Sequence, residues 1–345
     1  MANDRRLTRV RLKKHKIVYN GIKRSERMNI AKTIQDLYAR FGRLQGVTIE
    51  CQKELIAIGI TNSVASAEIF VQGAQISRFK RKQQAPILFL SRQCEYKQGQ
   101  PLRGGIPICW PWFGQLKKNN DKITSQYKHS SLDSMPAHGC VRDVNWKVDS
   151  IETPSHDMTI VEFSLDLNTD LADNDSNARD TMWPFLAQLR YRVEVGEQLM
   201  ATLTVSNQDT KEFSYSSALH SYFSVDHINN VIISGFSKTT YIDALDAWQE
   251  KKQIDDIAFN KEVDRIYTSA PEEIILSDRN RTIAITSKGS KSTIMWNPWI
   301  EKSQQLSQFA DDEYQSMVCV EIANALNDIV SLKPGEVHAM TLAIA

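Results

Sequence analysis

From residue 47 to the C-terminus, apolar residues recur at every second position, and that period leaves few folds open. Val161, Phe163, Leu165 and Leu167 alternate with Glu162, Ser164 and Asp166, as a half-buried strand requires. Leu189, Tyr191, Val193 and Val195 alternate with Gln188, Arg190, Arg192 and Glu194. After Gly196 the set Leu199, Ala201, Leu203 and Val205 repeats the pattern, which predicts a hairpin. Similar short runs occupy 68–79, 87–90, 231–233, 282–286, 293–296, 317–321 and 339–344. Almost no helical stripe interrupts them, which argues for antiparallel sheets packed face to face rather than a parallel sheet with alternating crossover helices. The expected fold is all-β, a large antiparallel β-sandwich with few short helices.

One helical stripe stands outside this pattern. Ile30, Ile34, Leu37 and Phe41 recur at helical spacing and end at Gly42, predicting a short helix. It lies in a basic arm: residues 1 to 44 hold 13 Lys/Arg against 3 Asp/Glu, leaving 29 against 38 for the rest of a chain whose net charge is +1. The arm lacks a repeated aromatic pattern, so a solvated tail is favoured over a nucleic-acid partner. Asn29 is where the chain becomes protein-like, and a start at Met28 stays open. The expected organisation is a basic extension over residues 1–45 and a sandwich domain over 46–345, with no internal repeat or Pro/Gly/Ser-rich linker.

Three polar stretches are expected to be loops: 117–135, 168–180 and 246–261. The first is either the rim of a site or a surface insertion. Five cysteines without CxxC spacing indicate neither a disulfide framework nor a zinc knuckle. No run approaches the ~20 apolar residues of a membrane span, and the basic start lacks a secretory apolar core. A reducing cytoplasm, with no membrane partner, is the expected location.

Two dense blocks mark the candidate site. Arg103-Gly104-Gly105-Ile106-Pro107-Ile108-Cys109-Trp110-Pro111-Trp112-Phe113-Gly114 combines prolines, large rings and an arginine on a double glycine, and Ala137-His138-Gly139-Cys140-Val141-Arg142 follows. Arg103 and Arg142 can bind phosphate oxygens bidentately, or form ordinary surface ion pairs. Trp110, Trp112, Trp296 and Trp299 either fill a core or line a sugar site. Of seven histidines, His15, His129, His156, His227 and His338 have polar or turn surroundings, leaving His138 and His220. His220 sits in the strand-like Ser216-Ser217-Ala218-Leu219-His220-Ser221-Tyr222-Phe223. Glu321 interrupts the apolar strand Met317-Val318-Cys319-Val320-Glu321-Ile322-Ala323. A carboxylate there needs partners or a job, and desolvation would raise its proton affinity towards the useful range for acid/base work. No GxGxxG, GxxxxGK[ST], HExxH or GxSxG occurs, and His138, His220 and Glu321 lack the close ligand spacing that would indicate a metal.

These blocks resemble the glucose-6-phosphate 1-epimerases, the hexose-6-phosphate mutarotase branch of the aldose 1-epimerase superfamily, over about residues 48 to 345. The motifs run in family order: Val71-Gln72-Gly73-Ala74-Gln75, Ile87-Leu88-Phe89-Leu90-Ser91, the Arg103 block, Ala137-His138-Gly139 with Arg142, Trp183-Pro184 and Leu219-His220-Ser221-Tyr222-Phe223. Tyr241-Ile242-Asp243, Asp264-Arg265-Ile266-Tyr267, Trp296-Asn297-Pro298-Trp299 and Val318-Cys319-Val320-Glu321 complete the set. The resemblance implies a galactose mutarotase-like supersandwich and a monomeric isomerase that interconverts the anomers of a small-molecule hexose 6-phosphate. It implies Glu321 as general base and His220 as general acid, with Arg103 and Arg142 on the phosphate and Asp243 and His138 on sugar hydroxyls or neighbouring side chains. Both proton carriers are restored each cycle, so no cofactor and no metal is expected. Ala137 stands where some members have glutamine, and the 117–135 stretch is a long insertion. Two alternatives remain: a mutarotase of unphosphorylated aldoses, and a silent sugar-phosphate-binding protein on the same scaffold.

Overall fold

In the computed structural model, residues 24–127, 131–167, 182–269 and 271–345 are described, with side chains from residue 28. Most of the basic arm, His15, His129 and the 168–180 stretch lie outside them. The alternating segments form antiparallel strands. A nine-stranded sheet runs in the order Ile257–Ala258, Ile232–Ser234, Ile274–Ser277, Thr282–Lys288, Val337–Ile344, Leu199–Asn207, Ala187–Val195, Met158–Leu167 and Lys147–Ser155. The expected hairpin at Gly196 lies within it, with Val195 opposite Leu199 and Leu189 opposite Val205.

A second sheet, of eight strands, carries the site. Its order is Gln249–Lys252, Thr240–Asp243, Val263–Tyr267, Ser292–Asn297, Met317–Asn324, Ser217–Leu219 and Ile108–Cys109, with Tyr222–Ser224 also paired to Met317–Asn324. Leu189, Tyr191, Leu203 and Leu342 of the first sheet share one apolar cluster with Met295, Val318, Val320 and Ile322 of the second. This is the sandwich core. A four-stranded meander, Val47–Gln52, Leu55–Thr61, Ala65–Phe70 and Ile76–Arg81, joins the same cluster through Ile58, Ile69 and Phe79.

The predicted helix spans Arg24–Phe41, and Ile30, Leu37 and Phe41 enter the main core. Arg40 donates to the carbonyls of Val148 and Asp149, tying the helix to the outer strand of the large sheet. No helix among the described residues is long and apolar enough to cross a membrane. The 246–261 stretch is not the loop expected: it contains the strands Gln249–Lys252 and Ile257–Ala258. Both lie at sheet edges. The first exposes nearly all its side chains, so it never carried an apolar alternation to read.

The period-two pattern can be tested on one strand. Leu203 is buried and Met200 exposed, three residues apart. Leu203→Ala is expected to cost about 2–5 kcal/mol, and Met200→Ala to stay within about 0.5 kcal/mol of the parent, by denaturant titration. Equal losses would contradict the burial of one face.

Candidate active site

Strand Met317–Asn324 is buried along its whole length. Val318, Val320 and Ile322 point into the sandwich core, so strand alternation turns Cys319, Glu321 and Ala323 to the opposite face. The neighbouring chain pairs with it in two pieces, Leu219 opposite Ile322 and Tyr222 opposite Cys319. Between them the ladder is interrupted: the His220 N–H donates to Pro107 O, while Val320 N–H donates to Ser221 O. This break sets the His220 ring beside Glu321, with Nε2 and Oε1 3.4 Å apart.

Both side chains are almost wholly buried, His220 at 8% and Glu321 at 1% exposure. His220 Nδ1 and Glu321 Oε2 have no hydrogen-bond partner among the described residues. Buried polar atoms without partners are costly and rare, so this pair is arranged for something other than stability. Burial, reinforced by the negative charge of Asp264, pushes the Glu321 carboxyl well above its usual range. Burial, followed by His138, Arg142 and Arg103, holds His220 well below the usual histidine range. With the carboxyl raised and the imidazole lowered, a proton shared by the two favours the carboxyl.

The pair forms the floor of a cavity of about 750 Å³ that Arg103, Phe113, His138, Arg142, Tyr222, Asp264, Trp296 and Lys302 also line. The His220 ring stacks on Tyr222, centroids 4.7 Å apart and planes 8° from parallel, and meets Trp296 edge-on. Arg103 contacts the Tyr222 hydroxyl, and Arg142 Nη2 donates to Ala137 O at 2.9 Å. The two motif blocks lie side by side: His138 N–H donates to Gly114 O, Cys140 N–H to Trp110 O, and Trp112 Nε1–H to Pro136 O. Gly139 holds φ +76°, and a Cβ there would stand 1.8 Å from Trp110 O, so only glycine fits.

The preceding His138 also has positive φ, +66°. Its Nδ1 accepts from Gly114 N–H at 3.3 Å, which assigns the ring proton to Nε2, with Cys109 Sγ 3.4 Å from Nδ1. Burial, aided by Arg142 and Arg103, lowers its proton affinity to about 3, so it is a neutral donor. Trp110 and Trp112 are fully buried core residues, and Trp296 faces the cavity. The 117–135 insertion does reach the site's edge: Lys118 and Asn119 line an adjoining hollow, with Lys118 over the Trp248 ring.

The structure brings His220, Glu321, Arg103, Arg142 and His138 together and leaves Asp243 out. Register explains this. Ile242 and Ile266 oppose each other on the site face, so Asp243 and Arg265, the next opposed pair, point away. Asp243 is 2.7 Å from Lys251 Nζ and accepts from Leu245 N–H, a hairpin role. The carboxylate that lines the cavity is Asp264, opposite Trp296 in register. Its proton affinity rises to about 6, chiefly through desolvation and then Glu262. Alternation within Val263-Asp264-Arg265-Ile266-Tyr267 is the signal that separates it from the core-facing residues. One trio among the described residues has metal-ligand character: His220, Cys319 and Glu321 place one donor atom each within 4.8 Å of the others.

Two stacked antiparallel sheets with a buried imidazole–carboxyl pair on the outer face of one define a galactose mutarotase-like sandwich. Residues 57–345 match the aldose 1-epimerase family, and the chain belongs to that family. It is an isomerase of the epimerase kind. A relative from Cenchrus ciliaris, provisionally named glucose-6-phosphate 1-epimerase, is 33% identical over 78% of this chain and 78% of its own. Another of that provisional name, from Salmonella typhimurium, is 30% identical over 85% and 91%. Among solved structures, a provisionally assigned mutarotase from Salmonella typhimurium superposes with TM-score 0.75 at 26% identity, covering 91% of this chain and 99% of that one. The galactose 1-epimerase of Lactobacillus acidophilus shares the fold, with TM-score 0.61 at 14% identity over 86% and 97%.

Asp264 gives a pH test. Its carboxyl titrates near 6 in the fold against the usual 3.8. Between those values the unfolded chain is ionised while the folded one keeps the proton, so stability falls as pH rises through the window and is flat above it. Asp264→Asn removes this loss. Its stability relative to the parent should therefore rise across that window and then hold, by denaturant titration at each pH. A constant difference would contradict the raised proton affinity.

Proposed function

We propose that the chain interconverts the α and β anomers of a hexose 6-phosphate by acid/base ring opening and reclosure. The observation that carries this reading is the unpartnered His220–Glu321 pair beneath two arginines. Arg103 and Arg142 take the phosphate, with Lys302 adding positive charge at the same cavity. His138 offers its Nε2–H, and Asp264 its carboxylate, to sugar hydroxyls. Glu321 takes the proton of the anomeric hydroxyl as His220 delivers one to the ring oxygen. The C1–O bond to the ring breaks, the aldehyde turns about its bond to C2, and reclosure with reversed transfers gives the other anomer.

This assignment needs the proton on His220, whereas burial favours it on Glu321. Phosphate binding works against that preference, because Arg142 and Arg103 are among the charges that depress His220. Two unit charges ~6 Å apart at an effective dielectric of ~20 interact by ~3 kcal/mol, or ~100-fold in proton affinity. Neutralising the arginines thus favours the imidazolium and shifts the proton balance across the 3.4 Å contact towards His220. A phosphorylated sugar would activate its own catalyst, which a free sugar would not.

Two measurements follow. Glu321→Gln should slow anomer exchange above the spontaneous rate by about 10²–10⁴-fold, read by NMR exchange spectroscopy; an unchanged rate would remove Glu321 from the mechanism. Arg103→Ala should lower kcat/KM for glucose 6-phosphate by about 10- to 100-fold, the worth of one charge-assisted contact, and should not lower any turnover of glucose, because losing the arginine also relieves His220 of one depressing charge. Equal loss on both sugars would overturn the phosphate assignment.

A further inference from the structure

We propose that His220, Cys319 and Glu321 form a site for a thiophilic divalent cation such as Zn²⁺, entered from the cavity, and that the cation inhibits reversibly by occupying both members of the catalytic pair. Cys319 takes no part in the ring opening described above, yet it is held on the same strand face as Glu321, two residues away. Tyr222 lies opposite Cys319, and the broken ladder just before it brings His220 to the same place. The result is one nitrogen, one sulfur and one oxygen donor, all buried and all within 4.8 Å of one another.

Tetrahedral zinc with nitrogen and oxygen at ~2.0 Å and sulfur at ~2.3 Å needs its donors ~3.3–3.8 Å apart. The His220–Glu321 distance of 3.4 Å already meets this, and the thiol needs a movement of ~1 Å, within side-chain rotation. Nε2 and Oε1 are thus the nitrogen and oxygen donors, and Glu321 Oε2 stands without a partner in a residue more than nine-tenths buried, so the carboxylate keeps donor capacity that the fold leaves unused. The cavity beside Glu321 and His220 has room for a water as fourth ligand. Mixed nitrogen, sulfur and oxygen donors select zinc-like ions and discriminate against Mg²⁺ and Ca²⁺, which take oxygen sets. Binding forms three metal–ligand bonds and releases the thiol proton and the carboxyl proton to solvent, with no change in oxidation state.

The proposal shares two residues with the reading of function, so the test reads metal ligation apart from turnover. Purified full-length protein is titrated with Co²⁺. The expected spectrum has the visible bands of four-coordinate cobalt and a near-ultraviolet thiolate-to-cobalt band, both displaced by Zn²⁺, while Mg²⁺ leaves them unchanged. Zn²⁺ should slow anomer exchange, with recovery on chelation and competition by glucose 6-phosphate. Cys319→Ser, with Cys319→Ala as a second variant should the first fold poorly, should lose the near-ultraviolet band and weaken Zn²⁺ inhibition by roughly tenfold or more. Absence of the cobalt bands in the parent, or equal Zn²⁺ inhibition of parent and both variants, would overturn the site. A protein inactive on hexose phosphates that still shows the cobalt bands would contradict the reading of function and support the metal site.

Discussion

Everything in the cavity depends on the burial of an imidazole and a carboxyl in contact, with too few hydrogen bonds to satisfy them. Their neighbours on the strand face are apolar or aromatic, and Tyr222 and Trp296 shield the ring. In such surroundings neither group holds charge readily, so burial favours the neutral carboxyl and the neutral imidazole. The sandwich core makes this possible. Val318, Val320 and Ile322 are locked between sheets, fixing the strand whose other face carries Glu321. The geometry of the pair is set by packing on the far side of a single backbone layer.

Around the pair, two arginines and a lysine line the cavity, and a neutral histidine stands beside them. An anionic ligand in this cavity would meet positive charge from Arg103, Arg142 and Lys302. Asp264 acts against this, since its ionised form raises Glu321. These groups cost stability where they sit, the expected signature of residues kept for chemistry.

Much of this was legible in the sequence. Alternation gave the strands and the sandwich, and the Ile30, Ile34, Leu37, Phe41 stripe gave the helix. Glu321 stood out because a carboxylate breaks an apolar run, and the resemblance supplied its relation to His220. What the sequence could not give was contact across strands. Asp243 and Asp264 both sit in motif-bearing strands, and only the register between those strands shows that one faces Lys251 and the other the cavity. The Gln249–Lys252 strand escaped notice because an edge strand in water needs no apolar side. The approach of Cys319 to His220 follows from a ladder interruption that no periodicity records.

The central claim is that the buried pair holds its proton on Glu321 when empty and passes it to His220 when phosphate neutralises the arginines. The direct measurement is the ¹⁵N chemical shift of the His220 ring nitrogens, with and without saturating inorganic phosphate, at neutral pH. A neutral imidazole in the free protein that becomes imidazolium on binding is the predicted result. A ring already charged in the free protein, or one that stays neutral with phosphate bound, would contradict it.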